Sequence, residues 1–246
     1  MSGPALTPAI AGWYGKLPTL GDFASRRLPP HFISQWDAWL QRGLATSRGS
    51  LQERWLPIYL NGPLWNFALL PGICGDSAWA GAMLPSVDKV GRHFPLTIAL
   101  EFPPLPSLLN TLFAAQEWFA AIDAVALDCL DLGFVPDQLE MHLAQHPFPA
   151  GAAPSQPAME ALGRWWNDAG AQPIALALAA GETVHGVFSG AALDRLGRGG
   201  GVRSIWWTGP TPGARPLLMA YPGLPSEHDF AILLEGAAAY EPATRQ

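Results

Sequence analysis

Charge is what this chain has least of. Of its 246 residues only 14% are Asp, Glu, Lys or Arg, against about a quarter in an ordinary soluble domain. Neutral polar side chains and backbone-rich loops must therefore cover the surface, leaving apolar area for a partner to cover. Cations are scarcer still: 14 Lys and Arg against 20 Asp and Glu leave a net charge of −6. No broad basic field exists to hold nucleic acid or an anionic membrane surface, and neither is expected as a partner. Cysteine is nearly absent. Cys74 and Cys129 stand outside any C-x-x-C pair or Cys/His cluster at zinc spacing, so free thiols in a reducing compartment are expected. A clean hydrophobic run is missing too. The longest uncharged stretch, 55–75, is long enough to span a bilayer, but Pro57, Pro63, Pro71, Asn61 and Asn66 interrupt it, and it reads as buried strands and turns. Residues 1–10 lack the basic start and apolar core of a secretory leader, which places the chain in the cytoplasm.

What is abundant is apolar side chain, 49% of the residues, enough for one large core or two small ones. A short apolar run at 10–15 predicts a first strand ending at glycine, followed by a turn-rich segment at 16–22. Pro29 and Pro30 open a helix in which Phe32, Trp36, Trp39, Leu40 and Gly43 or Leu44 share one face. A second short helix is predicted at 51–59, then strands at 64–70, 79–84 and 96–102, whose short connections favour antiparallel pairing. Helical periodicity follows at 108–130 and 136–145. The Pro, Ala and Gly of 146–157 predict an extended loop or linker. Beyond it, strands are predicted at 174–178, 184–188, 202–208 and 217–221, and a closing helix at 226–234 with Ser226 as its cap. The reading is an α+β fold: a largely antiparallel central sheet with flanking helices, in one body or two lobes. Its divisions are 10–145, the linker 146–157, and 158–246 packed on the same domain.

Two strings carry more than periodicity. The first is Gly12-Trp13-Tyr14-Gly15-Lys16-Leu17-Pro18-Thr19-Leu20-Gly21-Asp22-Phe23, followed by Arg27-Leu28-Pro29 and Trp36-Asp37-Ala38-Trp39-Leu40. The second runs from Met83 through Pro85-Ser86-Val87-Asp88-Lys89-Val90-Gly91-Arg92-His93-Phe94-Pro95 to Thr97. In this order they resemble the TagF/ImpM family over about 12–100, with weaker echoes at Ser204 to Trp207, Gly223 to Pro225 and Phe230. The resemblance implies a protein encoded with type VI secretion systems that represses secretion post-translationally through a forkhead-associated scaffold protein. It implies no accepted enzymatic activity, and neither cofactor nor metal is expected. The alternatives kept beside it are a structural subunit of the secretion apparatus and a phosphate-handling enzyme.

The residues themselves leave two readings for each string. Glycines on both sides of Pro18 let the backbone take positive φ and return Asp22 toward its own chain. Lys16 and Asp22 are then either loop-fixing or partner-binding. Ser86, Asp88 and Arg92 put a hydroxyl, a carboxylate and a guanidinium on one turn, suited to a charged group of a partner or to the loop's own backbone. The enzyme signatures are fragments. Gly75-Asp76-Ser77 resembles one hydrolase nucleophile block but lacks an Asp-x-x-His partner, and no Gly-x-Ser-x-Gly elbow occurs. His142 and His146 lie a helical turn apart without the metalloprotease glutamate, and the glycine-rich 197–201 lacks the Lys-Ser/Thr ending of a phosphate loop.

Overall fold

The computed structural model describes residues 9–103, 108–149, 157–166, 175, 184–198, 202–209 and 215–240. The strands are β1 Gly12–Gly15, β2 Ala24–Arg26, β3 Trp65–Leu69, β4 Ala78–Leu84, β5 Leu96–Phe102, β6 Arg203–Trp207 and β7 Leu218–Pro222. The helices are α1 Pro30–Leu51, α2 Trp55–Leu60, α3 Leu108–Ala114, α4 Gln116–Asp128, α5 Pro136–Gln145, α6 Pro157–Trp166, α7 Val184–Arg198 and α8 Phe230–Glu235. The seven strands form one sheet in the order β2-β1-β5-β4-β3-β6-β7, and every pairing is antiparallel. This is an α+β fold, and the late strands β6 and β7 extend the same sheet from β3.

Alternation along the central strands divides the core in two. On one face Ala78, Ala80, Ala82 and Leu84 of β4 join Leu96, Ile98, Leu100 and Phe102 of β5, under Trp118, Phe119, Ile122 and Val125 of α4 and Leu139 and Leu143 of α5. On the other, Trp65, Phe67 and Leu69 of β3 and Trp79 and Met83 of β4 meet Phe32, Trp36, Trp39 and Leu40 of α1 and Phe230 and Leu233 of α8. Helices cover both faces, so the middle strands read as continuous apolar runs. The helix opened by Pro30 buries the expected face. At Gly43 an added Cβ would stand 2.4 Å from the Phe230 ring, and this lets α8 settle against α1.

Several tryptophans are core residues whose indole N–H groups find acceptors, whereas the buried Trp118 Nε1 has none among the described residues. Trp36 donates to Thr97 Oγ1 at 2.8 Å, Trp39 to the Pro225 carbonyl at 2.8 Å, Trp65 to the Leu233 carbonyl at 2.8 Å and Trp206 to Ser204 Oγ at 2.8 Å. Two of these bonds, from Trp39 and Trp65, join segments more than a hundred residues apart and fix how α8 and the turn before it lie on the sheet. Neighbouring Trp206 and Trp207 point to opposite faces, and Trp207 packs on Phe113 and Phe119.

Several expectations are corrected. Residues 184–188 are helical, the first turn and more of α7, where Val187 packs on Ala158 and Met159; a β-branched and aromatic composition had masked the three- and four-residue spacing. The helix expected at 108–130 is two, divided at Ala115, whose φ of −93° and ψ of 39° leave the helical region without proline or glycine to announce it. α1 runs on to Leu51, and a 3₁₀ turn at Gln52–Arg54 precedes α2. β2 was not foreseen, because three residues, Ala-Ser-Arg, carry no alternation. The closing helix begins at Phe230; Ser226 instead braces the preceding turn, donating to Asp229 Oδ2 at 2.7 Å. Within the expected linker, Phe148 is buried on Phe102 and Trp118 and bridges Ala9, while 150–156 lie outside the described residues. The strand expected at 174–178 also lies outside them, apart from residue 175.

Candidate functional site

The two distinctive strings meet at one end of the sheet. β1 ends at Gly15, where φ is +138° and an added Cβ would stand 2.2 Å from the Pro95 carbonyl, so only glycine lets the chain pass β5 this closely. The next residue, Lys16, turns its side chain inward. Its ammonium reaches Asp88 Oδ2 at 2.8 Å, with the Lys16 side chain 5% exposed and that of Asp88 fully enclosed. Asp88 sits in the turn joining β4 to β5, and Arg92 Nε donates to the same oxygen at 2.6 Å. Asp88 Oδ1 accepts from the backbone N–H of Val90 at 3.0 Å and of Arg92 at 2.8 Å. Burial alone would raise this carboxyl's pKa. Hydrogen bonds from Lys16, from the Arg92 backbone and side chain and from the Val90 backbone outweigh it and hold the group well below the usual carboxylate range.

Further bonds lace the loop after β1 to this turn. Ser86 Oγ donates to the Lys16 carbonyl at 2.8 Å, the Lys89 N–H donates to the Leu20 carbonyl at 2.8 Å, and the Arg92 guanidinium donates to the Gly21 carbonyl. Tyr59 of α2 closes the back: its hydroxyl donates to the Ser86 carbonyl at 2.8 Å and accepts from the Ser86 N–H at 3.1 Å. Burial pushes the Tyr59 phenol up. His93 packs edge-on against Trp55 and Tyr59, and burial, then the charges of Arg48 and Lys16, lower its pKa and favour the neutral ring. Phe23 leans on Phe94 and Tyr14, with the Lys16 ammonium 4.8 Å from its ring centroid.

The five residues singled out in the sequence thus divide by position. Lys16, Ser86 and Asp88 lie inside the junction with their polar groups bonded to the chain itself. Asp22 and Arg92 lie at its rim: Asp22 Oδ1 accepts from the Phe23 N–H at 2.8 Å, and the Arg92 side chain is 56% exposed. The same rim displays Phe23, 43% exposed, and Val90, 70% exposed. Sequence reasoning missed Tyr59 and Phe23 as parts of this unit. It also missed a clamp beside it, in which Glu140 of α5 accepts from Trp13 Nε1 at 2.5 Å and pairs with Arg27. Arg27 itself donates twice to the Ala11 carbonyl, at 3.0 and 2.8 Å.

Among the described residues the hydrolase and histidine fragments gain no catalytic partner. His31 packs near Gly75, but it shares no hydrogen bond with Ser77 among the described residues. His142 rests edge-on against Phe134 and His146 is exposed. Among the described residues no three His, Cys, Asp or Glu side chains group as metal ligands. Gly197 and Arg198 close α7, and residues 199–201 lie outside the described ones. No described helix is long and apolar enough to cross a membrane.

Comparison with known proteins agrees with the two strings. No curated protein sequence matches the chain. In three dimensions it is similar to PA0076 from Pseudomonas aeruginosa PAO1, whose crystal structure is known, with a TM-score of 0.72 and 32% identity over 96% of this chain and 99% of that one. The family described as the TagF N-terminal domain, type VI secretion system-associated, matches residues 12–146, a span holding both strings and the junction they build. The chain belongs to this TagF family of type VI secretion-associated proteins.

Proposed function

We propose that this protein is a non-catalytic regulator of type VI secretion, acting in the cytoplasm as a post-translational repressor by binding a component of the machine, with a forkhead-associated scaffold protein as the expected partner. The observation that carries the reading is the junction itself. Two strings some seventy residues apart in sequence are tied by the Lys16–Asp88 ion pair and by the bond from Arg92 to the Gly21 carbonyl, and so hold a small rim in fixed shape. A buried, fully bonded charge network of this kind is expensive for stability alone and suits a surface whose outline must be kept. In this reading Lys16, Ser86 and Asp88 set the outline, while Asp22, Phe23, Val90 and Arg92 make contact. Exposed Phe23 and Val90 beside the charged Asp22 and Arg92 fit protein recognition better than capture of a charged small molecule.

The test is capture from cells with an active type VI secretion system, using wild type beside Val90→Asp and Arg92→Ala. Both variants change side chains that are more than half exposed and should stay folded by circular dichroism. The proposal expects a stoichiometric secretion component with wild type and its loss with Val90→Asp, alongside restored secretion in cells that carry the variant. Equal capture by all three, or repression unchanged in both variants, would remove the rim from the mechanism.

A further inference from the structure

A second surface lies where α4 turns into α5, and Thr19 Oγ1 of the loop after β1 donates to its Phe134 carbonyl at 2.9 Å. Thirteen large apolar side chains are exposed among the described residues, and four of them, Leu127, Leu130, Leu132 and Val135, fall within nine residues where α4 turns into α5. Leu132 is 81% exposed, the most of all thirteen. The turn is held by its own backbone: Leu130 N–H donates to the Leu127 carbonyl at 3.0 Å, Asp131 N–H to the Asp128 carbonyl at 3.1 Å and Phe134 N–H to the Asp131 carbonyl at 3.1 Å. These leucines are therefore presented by a fixed corner. Beside them opens a cavity of about 420 Å³ lined by Asp128, Asp131, Gly133, Phe134, Gln138 and His142. Asp128 and Asp131 are exposed, and a third carboxylate, Asp137, lies in the first turn of α5. Asp131 Oδ1 accepts from the Gly133 N–H at 2.7 Å, and the Asp128 carboxylate makes no hydrogen bond or ion pair with the described residues. Among the described residues no lysine or arginine lines the cavity.

We infer that this corner docks a segment of a partner protein in which an arginine, inserted between Asp128 and Asp131, is flanked by apolar side chains that cover Leu127, Leu130 and Leu132. Charge complementarity selects the occupant: two exposed carboxylates with no described cation beside them fit a guanidinium, which pairs with carboxylates in its plane. The apolar rim supplies the area that a lone ion pair lacks. This inference does not rest on the rim of the Lys16–Asp88 junction, and either site can fail without the other.

The test is a titration of the ¹⁵N-labelled protein with an acetylated leucine-arginine-leucine-leucine peptide amide, beside the same peptide carrying glutamate for arginine, at about 50 mM salt to limit screening. Shifts confined to the backbone of Gly133, Phe134 and Gln138 are expected with the arginine peptide alone. The Asp128→Asn, Asp131→Asn double variant should weaken it by about tenfold or more. Leu132→Asp, at a position too exposed to unfold the chain, should weaken it as well. Equal binding of the glutamate peptide, unchanged binding by the double variant, shifts elsewhere or no shifts at all would overturn the inference. So would concentration-dependent shifts without peptide that Leu132→Asp abolishes, since the occupant would then be a second copy of this chain.

Discussion

Two carboxylates in different parts of the molecule, Asp88 fully buried and Asp123 partly so, are treated in opposite ways. Asp88, in the turn between β4 and β5, receives four hydrogen bonds, two of them from cations. Asp123, on α4 against the sheet, receives one, from Asn66 Nδ2 at 3.0 Å, and its other oxygen has no partner among the described residues. Asn66 Oδ1 is likewise a buried acceptor without a donor among them. Burial pushes the Asp123 pKa up to about 6, and the single bond from Asn66 lowers it only in part. One site is organised around a charge, and the other holds a charge that its surroundings oppose. The first lies where the two family strings converge and the second on a helix whose neighbours are chosen for packing. Full satisfaction of a buried ion therefore marks the region under geometric demand.

Removing Asp88 should have the largest effect. Asp88→Ala leaves the Lys16 ammonium enclosed without a counter-ion and frees two turn N–H groups, so a loss of about 3–5 kcal/mol is expected, read as a lower midpoint in urea unfolding. The pH dependence has a definite sign. A carboxyl whose folded pKa is depressed contributes stability that is fully present above its unfolded value of about 3.9 and is lost as pH falls below it. Wild type should therefore weaken as pH drops from about 4, and Asp88→Ala should lack that part of the acid slope. An acid limb identical in the two proteins would mean that the Lys16–Asp88–Arg92 network contributes nothing net.

Asp123 should slope the other way. Its folded pKa of about 6 lies above the unfolded value, so the folded state holds the extra proton between them and stability rises as pH falls through that window. Asp123→Asn should stabilise the protein at pH 7 by about 1–2 kcal/mol, a part of the full shift because the group keeps some contact with water. Near pH 4, where Asp123 is itself neutral, the gain should vanish. The amide also brings a donor to a place that holds two acceptors without one. Destabilisation at pH 7 would show instead that the Asn66 bond needs the negative charge.

What the sequence disclosed follows the same contrast. The central strands, α1 and the glycine-bounded strings were readable because apolar spacing and glycine placement act over a few residues, as at Phe32, Trp36, Trp39 and Leu40 or at Gly15. The break at Ala115 and the short β2 were not, since each depends on what lies across the fold rather than on neighbours in the chain. The site was half legible. Lys16, Ser86, Asp88 and Arg92 could be named from residue type and turn context, but their division into enclosed and exposed groups depends on the approach of two loops. Tyr59, which closes the junction from α2, lies in a stretch with no polar signature.

The smallest effect sharpens the comparison most. Arg92→Ala removes one cation from Asp88, yet Lys16 still reaches Oδ2, and the backbone N–H groups of residues 90 and 92 still reach Oδ1. The lost guanidinium is more than half exposed, so the ion pair is screened, and a change of under about 1 kcal/mol is expected in the urea midpoint. A contact residue behaves in this way: its removal is mild for the fold and severe for a partner. If Arg92→Ala instead destabilises the protein nearly as much as Asp88→Ala, the guanidinium belongs with the enclosed network. Its bond to the Gly21 carbonyl would then be what keeps the loop after β1 in place.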